Sequence, residues 1–545
     1  MKDAPERVCR HTLAVRVQKV KHINGGVSMS VMKKKMFPLA VSALSLSLIL
    51  SGCGDNNSTA SPSASAGSGA GEASATATSS ETKGGTSELK PYKITMVYPG
   101  DAPKDLQQVQ DAMSAYLTEK INATIELKPI DWGSWMEKTN LMFASKESFD
   151  VVVSAATLGY YSNVAKGAYL PLDELIDKHG QDIRSVLGDD IFSGMRVKGL
   201  IYGTPTNKEF AASNGFLFNK ALVDKYNIDL NQINSLEDLE PILRTIKEKE
   251  PGITPLFEGN SRFLGSLVLN GQYDSLGDGY GVLNRSSGEL KVIDKTEAPE
   301  YMEIAKTAHR WYKEGLVNKD AATVKDWGLM QAGKAFAVMQ ELKPGKDAEM
   351  SMAWGFPVVQ KQMDVPYTST ATVAGIMLAI SKTSEDPERA MMFLNLLYSD
   401  KTLINMLDFG IENKHFVKKS DTVIDYPEGV DAQTVGYRNE PWMFGNQMNT
   451  YLFPSEDPNK WSAFQAFNEQ AEKSIALGFA WDSEPVKNEI AALTNVSKQF
   501  EDAIISGSVD PEVYIPKYRE AMKAAGLEKV IAEKQKQLDE WAKTK

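Results

Sequence analysis

The chain has 545 residues, with 60 Lys/Arg against 71 Asp/Glu and a formal net charge of −11; residues 1–52 hold nine of the basic and two of the acidic ones, so the rest carries −18. That balance argues against nucleic-acid binding, which needs a basic face to neutralise phosphates. With Cys9 and Cys53 the only cysteines and His179, His309 and His415 scattered, no disulfide framework, thiol catalyst or His/Cys zinc centre is expected.

At the N-terminus, Lys33-Lys34-Lys35 precedes an apolar stretch, Met36 to Leu50, of 15 residues, too short to span a bilayer as a helix. Small residues then lead through Leu50-Ser51-Gly52 into Cys53, which has the order of an export signal. This run resembles the lipobox of bacterial lipoproteins, in which the cysteine takes a diacylglyceryl group and becomes the mature N-terminus. A plain secretory signal with an incidental cysteine is the alternative. Residues 1–28 add nothing such a signal requires. Gly25-Gly26 can be encoded by a ribosome-binding sequence two codons ahead of Met29, so 1–28 reads as a misassigned upstream segment and 29–52 as the signal peptide.

Gly54 to Thr86 is rich in Ser, Ala, Gly and Thr and has too few large apolar side chains to bury a core. Residues 53–90 therefore read as a lipidated flexible linker, reaching ~35 Å as a random coil. From Pro91 onward the chain is longer than one hydrophobic core usually organises, so two lobes are expected.

Within that body, Lys93 to Val97 reads as a strand, Asp105 to Lys120 as a helix, Thr124 to Leu127 as a strand, Trp135 to Ser145 as a helix and Phe149 to Ser154 as a buried strand. The βαβαβ order favours a parallel sheet with right-handed crossovers. Leu217 to Lys220 reads as strand, and Ser235-Leu236-Glu237-Asp238 as the cap of a helix. Gly271 to Asp294 suggests a hairpin, Gly375 to Ser381 a strand, and Ser384-Glu385-Asp386-Pro387 a helix start. Leu527, Val530, Ile531, Leu538 and Trp541 keep helical spacing, placing an amphipathic helix at the C-terminus.

Phe149-Asp150-Val151-Val152-Val153, Gly167 through Leu175, Tyr202-Gly203-Thr204-Pro205, Gly215 through Lys220, Gly333 through Met339 and Ile380 through Ser384 occur in one order. Together they resemble the family 1 extracellular solute-binding proteins of ABC importers over essentially all of 91–545. Trp442-Met443-Phe444-Gly445-Asn446-Gln447 and the tail from Tyr514 through Asp539 are similar to a subgroup, the LipO- and LplA-type sugar-binding lipoproteins with a long C-terminal extension. The resemblance implies an α/β, two-lobed periplasmic-binding-protein-like fold, each lobe a mostly parallel sheet flanked by helices, with hinge crossings between. Lobe one would hold about 91–204 and 371–425, and lobe two about 213–365 and 437–545. It also implies carbohydrate capture between the lobes, ABC permease subunits as partners, and a lipid anchor on the extracytoplasmic face of the membrane.

Open parallel sheets bind ligands beyond the carboxyl ends of their strands. Asp131-Trp132 is the strongest such position: a carboxylate bonds sugar hydroxyls while an indole covers the C–H face of a pyranose. Trp442 and Trp481 lie in predicted loops beside polar residues and are further candidates, with Trp327, Tyr160, Tyr161 and Tyr437. Trp311, Trp541 and Trp461 read as core. Glu209 and Asn214 follow the presumed first crossing, and Asn446, Gln447 and Asp482 are polar groups beside aromatics; each reads equally as a solvated loop residue. A secreted glycoside hydrolase would also use acids and aromatics, as two carboxylates across a scissile bond. A peptide-binding lipoprotein would hold charged termini instead. The absence of a Gly-x-Ser-x-Gly elbow or a His-Glu-x-x-His segment argues against an esterase or zincin. Asp274 to Tyr280 lacks the spacing of a calcium loop. The expectation is thus a binder rather than an enzyme, a monomer, with no cofactor, no metal and no nucleic acid.

Overall fold

The computed structural model of the protein describes residues 89–259 and 263–545. The upstream segment, the signal, Cys53 and the tether lie outside the described residues. Among the described residues no helix is long and apolar enough to cross a membrane.

Four strands open the body: β1 (Tyr92–Pro99), β2 (Ala123–Ile130), β3 (Val151–Ser154) and β4 (Thr204–Pro205). The chain continues through β5 (Ser213–Asn219), β6 (Thr254–Phe257), the hairpin β7 (Tyr273–Asp274) and β8 (Leu283–Asn284), β9 (Ala335–Leu342), β10 (Val358–Gln362), β11 (Tyr367–Thr368) and β12 (Met377–Ile380). Two sheets result, ordered β2-β1-β3-β12-β4 and β10-β5-β9-β6.

The first sheet is lobe one. Its inner strands are apolar without alternation, because helices cover both faces. Helix Leu106–Ile121 presents Val109, Met113, Leu117 and Ile121 to the sheet at intervals of four residues, and ends at Asn122 in the left-handed conformation. In lobe two the faces of β5 separate cleanly. Phe216 and Phe218 pack with Leu256, Trp311 and Phe336, while Leu217 packs with Phe257, Val338 and Trp354 on the other side. The cap anticipated at Ser235 is a full capping box with Asp238 and opens helix Leu236–Lys249.

Strand direction locates the cleft. β1 pairs parallel with β2 and β3, and β12 runs antiparallel to both β3 and β4. In lobe two β5 runs antiparallel to β9 and β10, and β6 lies parallel to β9. Mostly parallel pairing therefore describes β1 to β3, whereas two of the three ladders in lobe two are antiparallel. The cause is connectivity: β5 and β12 carry the chain out of the crossings into a lobe, and their neighbours bring it back. The other strands of these two sheets consequently end at the side where the lobes meet.

The crossings are paired to one another. Asn207 bridges Asn446, Ala212 bridges Tyr367, and β11 pairs with the short strand Glu472–Lys473. Helices Lys487–Ile505, Pro511–Ala524 and Leu527–Ala542 form a third core with β7, β8 and helices Leu264–Gln272 and Pro299–Lys313. One boundary needs correction. Residues from 437 were assigned to lobe two, yet Tyr437, Met443 and Phe444 are buried in lobe one, where Phe444 meets Tyr98 of β1 edge-on at 5.6 Å.

Candidate ligand-binding site

β2 ends at Ile130, and Asp131 caps the turn that follows, its Oδ1 accepting from the Ser134 N–H at 3.2 Å. The turn projects Trp132 outward, 46% exposed. From the far side of the sequence, Pro441–Met443 forms a second turn, fixed by Met443 and Phe444 beneath it. Gly445 makes that close approach possible, since a Cβ there would stand 2.4 Å from the Leu397 carbonyl oxygen. The two turns bring Trp132 and Trp442 together as a stacked pair, centroids 6.2 Å apart and planes inclined by 22°. Trp442 Nε1 donates to Glu440 Oε2 at 3.2 Å. An apolar π surface bordered by Asp131 and Glu440 suits a ligand with C–H faces and hydroxyl edges.

The facing edge of lobe two is charged. Glu209 Oε1 accepts from Lys208 and from Lys343, the latter at 3.3 Å, and Lys343 also reaches Glu349 at 3.6 Å. Burial pushes the Glu209 carboxyl up, but Lys343 and Lys208 outweigh it and hold it below the usual carboxylate range. Asn214 gives its backbone N–H and its amide to the two oxygens of Asp364 at 2.6 and 2.7 Å. Among the described residues no set of three or more His, Cys, Asp or Glu side chains is grouped to hold a metal ion.

The remaining sequence candidates fall elsewhere. Tyr160 is fully buried under the first crossing, and Tyr161 is half-buried against it. Tyr437 is buried too, its hydroxyl donating to the Leu407 carbonyl at 2.9 Å. Asn446 and Gln447 are buried in the hinge. Asn446 accepts from Asn207 at 2.8 Å and donates to the Tyr398 carbonyl at 3.3 Å, and Gln447 Oε1 is without a hydrogen-bond partner. Trp327 packs between Phe257 and Trp354 inside lobe two. Trp481 is buried in the third core with its Nε1 on Asp278 at 2.6 Å, and the Asp482 backbone is held by Gln537. Tyr160, Tyr437, Asn446, Gln447 and Trp481 are buried in packing or hinge positions by distant elements, whereas Tyr161, Trp327 and the Asp482 side chain remain partly exposed.

One acid escaped the sequence reading. Glu258 follows β6 at the hinge side, wholly buried, with Oε1 accepting from the Leu264 N–H at 2.8 Å and Oε2 without a partner among the described residues. Burial pushes its carboxyl up to about 8. An acid closing an apolar run, Leu256-Phe257-Glu258, was the available signal.

Residues 100–403 match the model of the bacterial extracellular solute-binding protein family, and 475–543 match a domain of unknown function (DUF3502). A carbohydrate ABC transporter substrate-binding protein of Streptococcus pneumoniae serotype 4 (strain ATCC BAA-334 / TIGR4) is 31% identical over 466 residues, 83% of this chain and 91% of the relative. Lipoprotein LipO of Bacillus subtilis (strain 168) is 23% identical over 52% of this chain and 51% of its own. Among solved structures, the N-glycan transport solute binding protein (NgtS) from Streptococcus pneumoniae superposes with a TM-score of 0.75 at 30% identity, covering 83% of this chain and 99% of that one. In complex with Man1GlcNAc the same protein gives 0.68 at 29% identity, covering 83% and 100%. In complex with Man5GlcNAc it gives 0.65 at 30%, covering 84% and 99%.

Proposed function

The chain belongs to the bacterial extracellular solute-binding protein family, and from that premise we propose that it captures a neutral oligosaccharide between its lobes for delivery to an ABC permease. The observation that carries this reading is the Trp132–Trp442 pair at the cleft edge of lobe one, with Trp132 exposed and carboxylates alongside. Stacking on such a surface adds about 1 kcal/mol beyond area burial. The relatives support the sugar class: one is described as a carbohydrate transporter component, and the complexes named above hold mannose–N-acetylglucosamine chains.

On the same reading the protein is a monomer held at the outer face of the membrane through Cys53, and it binds its ligand without hydrolysing it. Titration calorimetry with Man1GlcNAc and Man5GlcNAc as first ligands tests the proposal. Heat is expected, with at least a tenfold loss of affinity in Trp132→Ala. A response to peptides and to no oligosaccharide rejects the sugar assignment, and reducing ends appearing on long incubation turn the reading to a hydrolase.

A further inference from the structure

Residues 476–481 are buried by turns in two different bodies. Ala476, Phe479 and Trp481 enter the C-terminal core, whereas Leu477 and Ala480 pack into lobe one. Leu477 fits because helix Gln181–Met195 has Gly194 facing it: a Cβ there would stand 3.2 Å from Leu477 Cδ1. Gly478, at φ +96°, lies flat on the same helix, and its own Cβ would come within 2.6 Å of the Ser193 carbonyl oxygen. Thr370 closes the arrangement, accepting from the Gly478 N–H at 2.8 Å and donating to the Ala476 carbonyl at 3.3 Å. Two ion pairs, Lys473–Asp190 and Lys198–Asp482, flank this strap but are exposed and contribute little.

The other end is held as firmly. Trp481 Nε1 and the fully buried Lys534 each bond one oxygen of Asp278 at 2.6 Å, and Lys534 lies 5.0 Å from the Trp481 ring centroid. Gln537 exchanges two hydrogen bonds with the backbone of Asp482. The C-terminal helices are in turn seated on lobe two. Helix Pro299–Lys313 gives Tyr301 and Ala305 to their core and Ile304, Ala308 and Trp311 to that of lobe two. A Cβ on Gly507 would meet the Ala308 backbone at 2.2 Å.

Four residues of chain from Leu477 to Trp481 reach at most ~14 Å when extended. Lobe one therefore moves away from the C-terminal module only by drawing an apolar side chain out of one core or the other. We infer that this module, residues 475–543, is an interlobe strut: it rides on lobe two, grips lobe one through Leu477, and sets how far the cleft stands open before a ligand arrives. The inference rests on the two-lobed receptor reading above, but its test needs no ligand.

Spin labels at Glu119→Cys in lobe one and Glu248→Cys in lobe two, in the full chain with Cys9→Ser and Cys53→Ser, report the interlobe distance by double electron–electron resonance. Leu477→Ala and, separately, a Gly-Ser-Gly-Ser insertion after Gly478, which parts Leu477 from Phe479 and Trp481, are each expected to widen the unliganded distance distribution at least twofold, with circular dichroism unchanged. A distribution as narrow as the parent's in the insertion variant overturns the strut. If Leu477→Ala does not fold, the insertion decides, since it leaves every packed side chain in place. Absence of sugar binding would defeat the receptor reading and leave this distance measurement untouched.

Discussion

The two sheet edges that face each other across the cleft are finished in opposite ways. Lobe one ends in aromatic surface, with Trp132 half open to solvent and stacked on the partly buried Trp442. Lobe two ends in polar groups that mostly answer one another, Glu209 Oε1 with Lys208 and Lys343 and Asn214 with Asp364, while Glu209 Oε2 and Glu258 Oε2 are buried without a partner among the described residues. A hydrogen-bonding group that is already satisfied gains little from a ligand, because the new bond replaces an old one. The contrast teaches that affinity should concentrate on lobe one, while lobe two spends its polar groups on its own architecture.

The largest effect expected from this contrast is on the aromatic edge. Replacing Trp132 and Trp442 together with Ala should weaken oligosaccharide binding roughly a hundredfold, ~2.7 kcal/mol, with the melting temperature little changed in the single Trp132→Ala variant, because Trp132 is exposed. Equal losses from substitutions at Glu209 or Asn214 would erase the distinction.

Next in size is a pure stability effect on lobe two. The unfolded chain ionises Glu258 around pH 4.3, whereas burial keeps it neutral to about 8 in the fold. Folding takes up a proton between those values, so this residue's contribution makes stability fall as pH rises through that window. Glu258→Gln cannot ionise and lacks the slope. It should be more stable than the parent at pH 7 and no more stable at pH 4, read from denaturant melts. A constant difference across pH would refute the neutral acid.

A smaller loss is expected from Lys343→Met. It leaves Glu209 only Lys208 as counter-charge and should cost about 1 kcal/mol of stability, with oligosaccharide affinity within threefold of the parent. Smallest of all, Trp481→Phe should leave affinity within twofold, since its indole serves the C-terminal core. A tenfold loss there would return Trp481 to the ligand.

The aromatic edge was partly legible in the sequence. Asp131-Trp132 follows a strand and precedes a helix, and that order alone places it beyond a sheet edge. Trp442 was legible only as an aromatic in a loop. What could not be read was which loops are covered. Trp481 and Tyr437 occupy the same kind of predicted loop as Trp132, but Asp278 and Lys534 close over the first and the Leu407 carbonyl lies against the second. Those partners are dozens to hundreds of residues away, so local composition holds no trace of them. The lobe-two boundary at 437 missed Tyr437, Met443 and Phe444 for the same reason: Phe444 finds Tyr98 across nearly the whole body. Hydrophobic periodicity recovered the strands and helices of lobe one well. It could not reveal that β5 opposes its neighbours, because strand direction follows from where the chain enters the lobe.

The stacked indoles also have an optical consequence. Two tryptophans 6.2 Å apart with planes inclined by 22° are close enough for their electronic transitions to couple, so the pair should give a split far-ultraviolet dichroism signal that neither ring gives alone. A sugar sliding over Trp132, or a lobe pressing the pair into a new inclination, would alter that splitting directly. Under the proposed binding at this edge, the pair would report occupancy without a label, and removing either ring would silence it.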